Sequence, residues 1–249
     1  MTATVLLTRA KGRNEALAAR LGAEGVSVII MPMLAVESTN LPETARQQAI
    51  NLDRYDHIIF VSASAVEFGL PVLEEYWPQW PAMLRWHAVG AATAARLASF
   101  DILATAPEEA SSEGLIASGV LDGVDGAHVL VVRGKGGREL LARELAGRGA
   151  EVDYLEVYQR RPIVLGAEAR RRLAGHRPLV AVAYSGDTVE ALAANLDEIR
   201  EGLAIVVPSD RVKNVAMSMG FSDVMVAGGA DEDAICGATL SVSARVANQ

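Results

Sequence analysis

Apolar runs of strand length recur along the chain, and most are followed by a stretch in which apolar positions return every three or four residues. The runs are VLLT (5–8), VSVIIM (26–31), IIFVSA (58–63), HAVG (87–90), DILAT (101–105), HVLVV (128–132), VDYLEV (152–157), LVAVAY (179–184), AIVVP (204–208) and DVMVA (223–227). Between them lie the helical patterns ARLGAEG, SAVEFGLPVL, AATAARLAS, SEGLIASGV, ELLARELAGRG, DTVEALAANLDEI and DRVKNVAMSMG. Strand and helix alternate, and the strands are apolar on both faces. That pattern predicts parallel sheets covered by helices on either side.

The pattern also repeats. Without gaps, Val5, Leu6, Arg9, Lys11, Gly12, Glu15, Leu17, Leu21, Gly25 and Val28 match Val129, Leu130, Arg133, Lys135, Gly136, Glu139, Leu141, Leu145, Gly149 and Val152, at a constant offset of 124 (133 − 9). VSASAVEFG matches AYSGDTVEA, which places Ser62 on Ser185 at an offset of 123 (185 − 62). A weaker match pairs AVGAATAARLA with VVPSDRVKNVA. The chain therefore contains an internal duplication. A tandem arrangement would divide it near residue 125. LAVEST after Met33 and EVYQRRPIV after Leu155 read instead as extended crossovers, which would join the first basic unit to the last two units. The pattern alone leaves both divisions open.

Composition narrows the class. The chain has 249 residues, of which 51% are hydrophobic, enough for one large or two small cores. A net charge of −8 argues against a general nucleic-acid binder, although a local cationic site remains compatible with it. The single cysteine, Cys236, rules out an internal disulfide, fits a reducing cytoplasm, and reads as a small buried hydrophobe in a helix. No apolar run reaches the ~18 residues of a membrane span. The opening MTATVLLTRAKG lacks a basic segment before a long apolar run, so it reads as part of the fold.

Candidate chemistry gathers where strands end. In open parallel sheets ligands sit beyond the carboxyl ends of the strands. Arg9, Lys11 and Arg13 follow one strand, and Arg133, Lys135 and Arg138 follow its repeat, in glycine-containing loops that lead into helices. Helix starts attract anions, Arg suits bidentate carboxylate bonding and Lys serves as a point charge. Solvated loop cations are the plainer reading of any single one. The pattern is not that of a nucleotide loop: Lys135 is followed by Gly136 rather than Ser or Thr, and Glu139 stands where a dinucleotide fingerprint needs a small residue. Ser62, Ser64 and Ser185 sit at helix starts, where capping competes with ligand binding. Ser185 lacks the flanking glycines of a hydrolase elbow, having Ala183 and Asp187 instead. His57, His87 and His128 lie at the strand edge opposite the loops and His176 in GHRP; no spacing suits a metal, and all four read as structural or solvated. Trp77, Trp80 and Trp86, in EYWPQWPAMLRW, read as caps on a core.

EVYQRRP, HAVGAATAARL, FVSASAVEF and AIVVPSDRV…DVMVAGGADEDAICGATL, in that set and along nearly the whole chain, resemble uroporphyrinogen-III synthases. The resemblance implies two similar three-layer α/β/α domains with five-stranded parallel sheets, the first discontinuous, joined by a two-stranded connection and facing one cleft. That favours residues 1–35 plus 163–249 as the first domain and 38–159 as the inserted second, with linkers 36–37 and 160–162. It implies a hydro-lyase that closes hydroxymethylbilane, a linear tetrapyrrole with eight carboxylates, into uroporphyrinogen III with inversion of ring D and loss of water, and that uses no metal or organic cofactor. The implied partner is this anionic tetrapyrrole, with no nucleic acid or membrane, in a cytoplasmic monomer; transient contact with hydroxymethylbilane synthase stays open. Tyr158 matches the tyrosine most often assigned to loss of the substrate hydroxyl, with a packing tyrosine as the plainer reading. Thr93 in VGAAT matches a ligand-contacting threonine. Ser209 lies in PSDRV, where many members have threonines, and Val61 replaces a common Thr before Ser62. Substrate contacts are thus expected from Arg9, Lys11, Ser62, Ser64, Thr93, Arg133, Lys135, Ser185 and Ser209. The competing reading is a two-domain sensor or binding protein for a small anion, without chemistry.

Overall fold

The computed structural model describes residues 3–248. In chain order the elements are β1 (Thr4–Leu7), α1 (Glu15–Ala23), β2 (Ser27–Ile30), β3 (Leu34–Ser38), α2 (Glu43–Ile50), β4 (His57–Phe60), α3 (Ala63–Glu74), β5 (Arg85–Ala88), α4 (Ala91–Ala98) and α5 (Ser112–Ala117). There follow β6 (His128–Gly134), α6 (Leu140–Gly147), β7 (Glu151–Pro162), α7 (Ala167–Ala174), β8 (Leu179–Val182), α8 (Gly186–Asn195), β9 (Ala204–Val207), α9 (Asp210–Ser218), β10 (Asp223–Val226) and α10 (Glu232–Ala247). The chain forms two compact units, one of residues 1–35 with 161–249 and one of residues 36–160.

The first unit holds a sheet ordered β10-β9-β8-β1-β2, parallel throughout. Alternation along each strand divides its core in two. Val5, Leu7, Val180, Val182 and Val206 face Leu17 and Leu21 of α1 and Ile235, Cys236 and Val242 of α10. Leu6, Ala181, Ile205 and Val207 face the other way, onto Leu173 of α7, Leu192 of α8 and Val212 and Ala216 of α9. The second unit holds the order β3-β7-β6-β4-β5, with β4, β5, β6 and β7 parallel. Ile58, Phe60, Leu130, Val132 and Val157 face α2, α3 and α4, whereas Ile59, Val129 and Val131 face Leu115 of α5 and Leu141 and Leu145 of α6. Each unit is therefore a three-layer α/β/α sandwich.

The duplication is legible in space. Taken by repeat, β9, β8, β1 and β2 correspond to β5, β4, β6 and β7, and they stand in the same spatial order. In the first unit β10 adds to β9. In the second, DILAT makes one bridge, His87 to Thr105, instead of the expected strand, and β3 fills the fifth place at the other end of the sheet. DILAT fails as a strand because Asp101 takes a left-handed backbone (φ 58) and Leu103 points into solvent. Two helices without a strong apolar stripe, α2 and α7, escape sequence reading for a related reason: α2 buries only Ala45 and Ala49, and α7 only Leu173.

The tryptophans close the second core from its rim. Trp86 stacks on Phe60 at 5.9 Å, Trp80 meets Trp86 edge-on at 5.1 Å, and Trp77 Nε1 donates to the Ala49 carbonyl at 2.9 Å. Behind them His57 and His87, on adjacent strands, bring Nδ1 and Nε2 to 2.9 Å. Burial lowers the His87 pKa from 6.5 to about 4, with the nearby His57 and Arg85 adding to the effect. Burial and Arg85 lower that of His57, against the pull of Asp56. A histidine whose folded pKa is depressed contributes its full stability above its unfolded value and loses it as acid protonates the unfolded chain first. The His87 contribution, on the order of 3 kcal/mol, should therefore vanish progressively from pH 6.5 down to about pH 4. Urea midpoints at pH 7.5 and 4.5 read this directly. The drop should shrink in His87→Gln; an equal drop in that variant would assign the acid sensitivity elsewhere.

Candidate active site

An open parallel sheet has a place where the crossovers leave neighbouring strands in opposite directions, and the crevice at the carboxyl ends of the two strands there is the natural ligand site. In the first unit those strands are β1 and β8, and in the second β4 and β6. Each pair carries one basic loop and one serine-capped helix start. Thr8 Oγ1 closes the first pair by donating to the Val182 carbonyl at 2.5 Å.

The first basic loop, Thr8–Asn14, is held from within by Asn14, which is 2% exposed. Its Nδ2 donates to the Arg9 carbonyl at 2.8 Å and the Ala10 carbonyl at 3.3 Å. Gly12 takes a left-handed φ of 82, a conformation glycine adopts without strain. The loop N–H groups do meet an anion, and it belongs to the chain: Glu15 accepts from Gly12 N at 3.3 Å and Asn14 N at 2.9 Å. Its own backbone N–H and that of Asn14 hold its carboxyl below the usual carboxylate range. Arg9 is half-buried and lies over the Tyr184 ring at 4.4 Å, while Lys11 and Arg13 are exposed. Tyr184 lies two residues beyond β8, just before Ser185; its hydroxyl is buried with no hydrogen-bond partner among the described residues, and burial raises its pKa. Ser185 Oγ accepts from Thr188 N at 3.4 Å and meets Thr188 Oγ1 at 3.0 Å.

The second basic loop is organised differently. Arg133 is 4% exposed and points inward. Its Nη2 donates to the Gly137 carbonyl at 2.5 Å, Nη1 to the Arg138 carbonyl at 3.3 Å, and Nε to the Gly134 carbonyl at 3.3 Å. Glu139 lies 3.4 Å from Nη1 and Glu156 3.6 Å from Nε, and the Tyr154 ring covers the guanidinium at 4.2 Å. Lys135 is exposed, and its backbone N–H donates to the Tyr158 carbonyl at 2.8 Å. Tyr158, 4% exposed, packs against Phe68 and over Gly134, and its hydroxyl reaches Ser62 Oγ at 3.1 Å. Ser62 also caps α3, accepting from Ala65 N at 3.0 Å.

Tyr158, Ser62 and the Lys135 backbone are thus brought together at the switch point of the second unit, and Arg9 and Ser185 flank that of the first. Ser64 is half-buried in the first turn of α3. Thr93 is buried in the first turn of α4, where Gly90 holds the cap position. Ser209 holds the cap position of α9 without a side-chain cap bond and is half-buried. The residues that shape the loops, Asn14, Glu15, Tyr154, Glu156 and Tyr184, lay outside the sequence reading as site residues; the match of Glu15 to Glu139 was the one available signal. A cleft of about 410 Å³, lined in part by Glu43, Gln48, Tyr55 and Asp153, opens at the opposite, amino-terminal edge of the second sheet.

Comparisons with known proteins follow the same lines. The family model described as uroporphyrinogen-III synthase HemD matches residues 15–236. The uroporphyrinogen-III synthase of Salmonella typhimurium is 34% identical over 242 residues, 93% of this chain and 98% of its own length. That of Escherichia coli is 31% identical over 241 residues, with the same two coverages, 93% and 98%. The uroporphyrinogen-III synthetase structure from Helicobacter pylori aligns over 97% of this chain and 100% of its own, with a TM-score of 0.64 at 14% identity. A mutant uroporphyrinogen III synthase from Thermus thermophilus aligns over 98% and 99%, with a TM-score of 0.58 at 16% identity. At these identities the two structures show a shared fold.

The contact between Gly134 and Tyr158 can be tested alone. A Cβ on Gly134 would lie 2.4 Å from the Tyr158 ring. Gly134→Ala should cost about 1–3 kcal/mol of stability through overpacking. In a Tyr158→Ala background the same change should cost much less, since the clash is gone. Equal costs in both backgrounds, measured by denaturant unfolding, would show that the ring does not limit residue 134.

Proposed function

Because the chain belongs to the uroporphyrinogen-III synthase family, we propose that it converts hydroxymethylbilane to uroporphyrinogen III, closing the macrocycle with inversion of ring D and release of water, as a hydro-lyase. The observation that carries this reading is the match along almost the whole chain to relatives of that name. The reading treats residues 1–35 plus 163–249 and 38–159 as its two domains, with 36–37 and 160–162 as linkers. The lone cysteine is compatible with a cytoplasmic setting, and no helix among the described residues is long and apolar enough to cross a membrane.

The chemistry asks little acid–base equipment of the protein. An electron-rich pyrrole expels its own hydroxyl to give a stabilised cation, so the main tasks are to orient the chain for attack at the substituted carbon of ring D and to exclude the simpler closure. Tyr158 is the residue assigned to protonate the departing hydroxyl. Ser62 Oγ already accepts the Ala65 N–H. Its own proton can therefore go to the Tyr158 oxygen, leaving the phenol proton for the substrate. Arg9 and Lys11 in one loop and Lys135 in the other are the cations assigned to substrate carboxylates, with Ser62, Ser64, Thr93, Ser185 and Ser209 at the surrounding helix starts. Tyr184, beneath Arg9, keeps that guanidinium at the strand end.

Incubation of the purified chain with freshly made hydroxymethylbilane, followed by separation of isomers, tests the reaction. The type III isomer should form, and EDTA should leave the rate unchanged. Type I alone, at the spontaneous rate, would overturn the assignment and favour a sensor that leaves its ligand intact. A general acid contributes ~10²–10⁴-fold, and this leaving group departs partly unaided, so Tyr158→Phe should lower kcat by about 10²-fold or less with KM little changed. Lys135→Ala should raise KM and flatten the salt dependence, because screening acts on such contacts. An unchanged kcat in Tyr158→Phe would make the phenol a packing group.

A further inference from the structure

We infer that Arg133 is a positioning residue, the internal scaffold of the Gly134–Glu139 loop that sets Lys135 and Tyr158, and that only the first basic loop offers its strand-end arginine to substrate. The inference rests on the proposed cyclisation for its kinetic arms but not for its structural one. A guanidinium has five N–H donors and must be satisfied when buried. Arg133 meets three loop carbonyls, two carboxylates and one aromatic face while being 4% exposed. Binding a substrate carboxylate would require the guanidinium to leave these partners and the buried position that they hold it in.

The repeat explains why the two loops differ. At the offset of 124 that aligns Arg9 with Arg133, the positions of Tyr154, Glu156 and Gly137 are held by Ile30, Pro32 and Arg13. The first loop thus lacks the ring, the carboxylate and the side-chain-free position that receive a guanidinium in the second. A Cβ at residue 137 would lie 3.1 Å from Arg133 Nη2 and 3.2 Å from Cζ, so the guanidinium would have to give by a few tenths of an ångström. Conversely, Tyr184 supports Arg9 from the segment between β8 and the Ser185 cap, and its counterpart in the second unit is Val61. Each arginine therefore has one tyrosine, on opposite neighbours, and the two point to different places. From Arg133 the connection to the chemistry is short. The loop it holds donates the Lys135 N–H to the Tyr158 carbonyl and presents the Gly134 backbone to the Tyr158 ring.

Arg133→Lys keeps the charge and removes the fork. It should lower kcat about 10- to 100-fold, the scale of a small misplacement of a reacting group, with KM and its salt dependence close to wild type. Arg9→Ala should do the reverse, raising KM and flattening the salt dependence with kcat nearly kept. Gly137→Ala, which crowds the guanidinium without removing it, should repeat the Arg133→Lys split in weaker form and serves if that variant does not fold. Independently of activity, amide hydrogen exchange in residues 134–140 should rise about tenfold or more in either variant, with other segments unchanged. A raised KM with a flattened salt dependence and normal kcat in Arg133→Lys would make Arg133 a ligand and overturn the inference. Unchanged loop exchange would overturn it too, with the proposed cyclisation intact. If the wild-type chain made no type III isomer, the cyclisation would fall and the exchange measurement would still decide the scaffold.

Discussion

Parallel strand pairing is the constraint from which the site follows. A strand that pairs in parallel must be reached by a crossover, and in each unit the crossovers leave one central pair of strands in opposite directions. Between β1 and β8, and again between β4 and β6, the crossovers diverge, so the loops that open them lie beyond the strand ends. Helix starts gather at the same edge, so partial positive charge accumulates there before any side chain is chosen. The basic residues add to a field that the backbone already supplies. In the first loop that field is strong enough to draw in the neighbouring Glu15 carboxylate.

A duplicated loop need not keep a duplicated role. Both copies retain an arginine at the strand end, a lysine two residues on and a positive-φ glycine after it. What differs lies on the next strand. Where β7 offers Tyr154 and Glu156, the guanidinium is drawn inward and the loop closes around it; where β2 ends in Ile30 before Pro32, it has no such receiver and turns to Tyr184. A buried charge needs several partners at once, so the choice depends on a set of residues, and loss of any one would leave the others poorly satisfied.

That dependence also marks how far the sequence could be read. The fold class was legible because both faces of every central strand are apolar and the helices between them are periodic. The duplication was legible because Arg9 and Arg133, and Ser62 and Ser185, sit at constant offsets. β3 read only as an extended crossover, since its pairing with β7 joins segments more than a hundred residues apart. At the site, the positions of the basic and serine loops could be read, but the direction of each side chain could not. Apart from Gly137 in place of Arg13, Arg9 and Arg133 differ through residues some twenty positions away or in the other half of the chain. The His57–His87 contact was hidden for the same reason: each histidine reads as a strand residue, and only the register of β4 on β5 joins them.

The candidate site around Tyr158 is built with few ionisable groups. The ring is fixed on one side by Phe68 and on another by the bare backbone of Gly134, and its main-chain carbonyl is fixed by the Lys135 N–H. Its hydroxyl meets Ser62 Oγ, and that serine is itself anchored by the cap it makes to α3. In the proposed cyclisation the leaving group departs with little help, so such placement would contribute more than a stronger acid, because misdirected closure is the competing outcome and orientation is what separates the two.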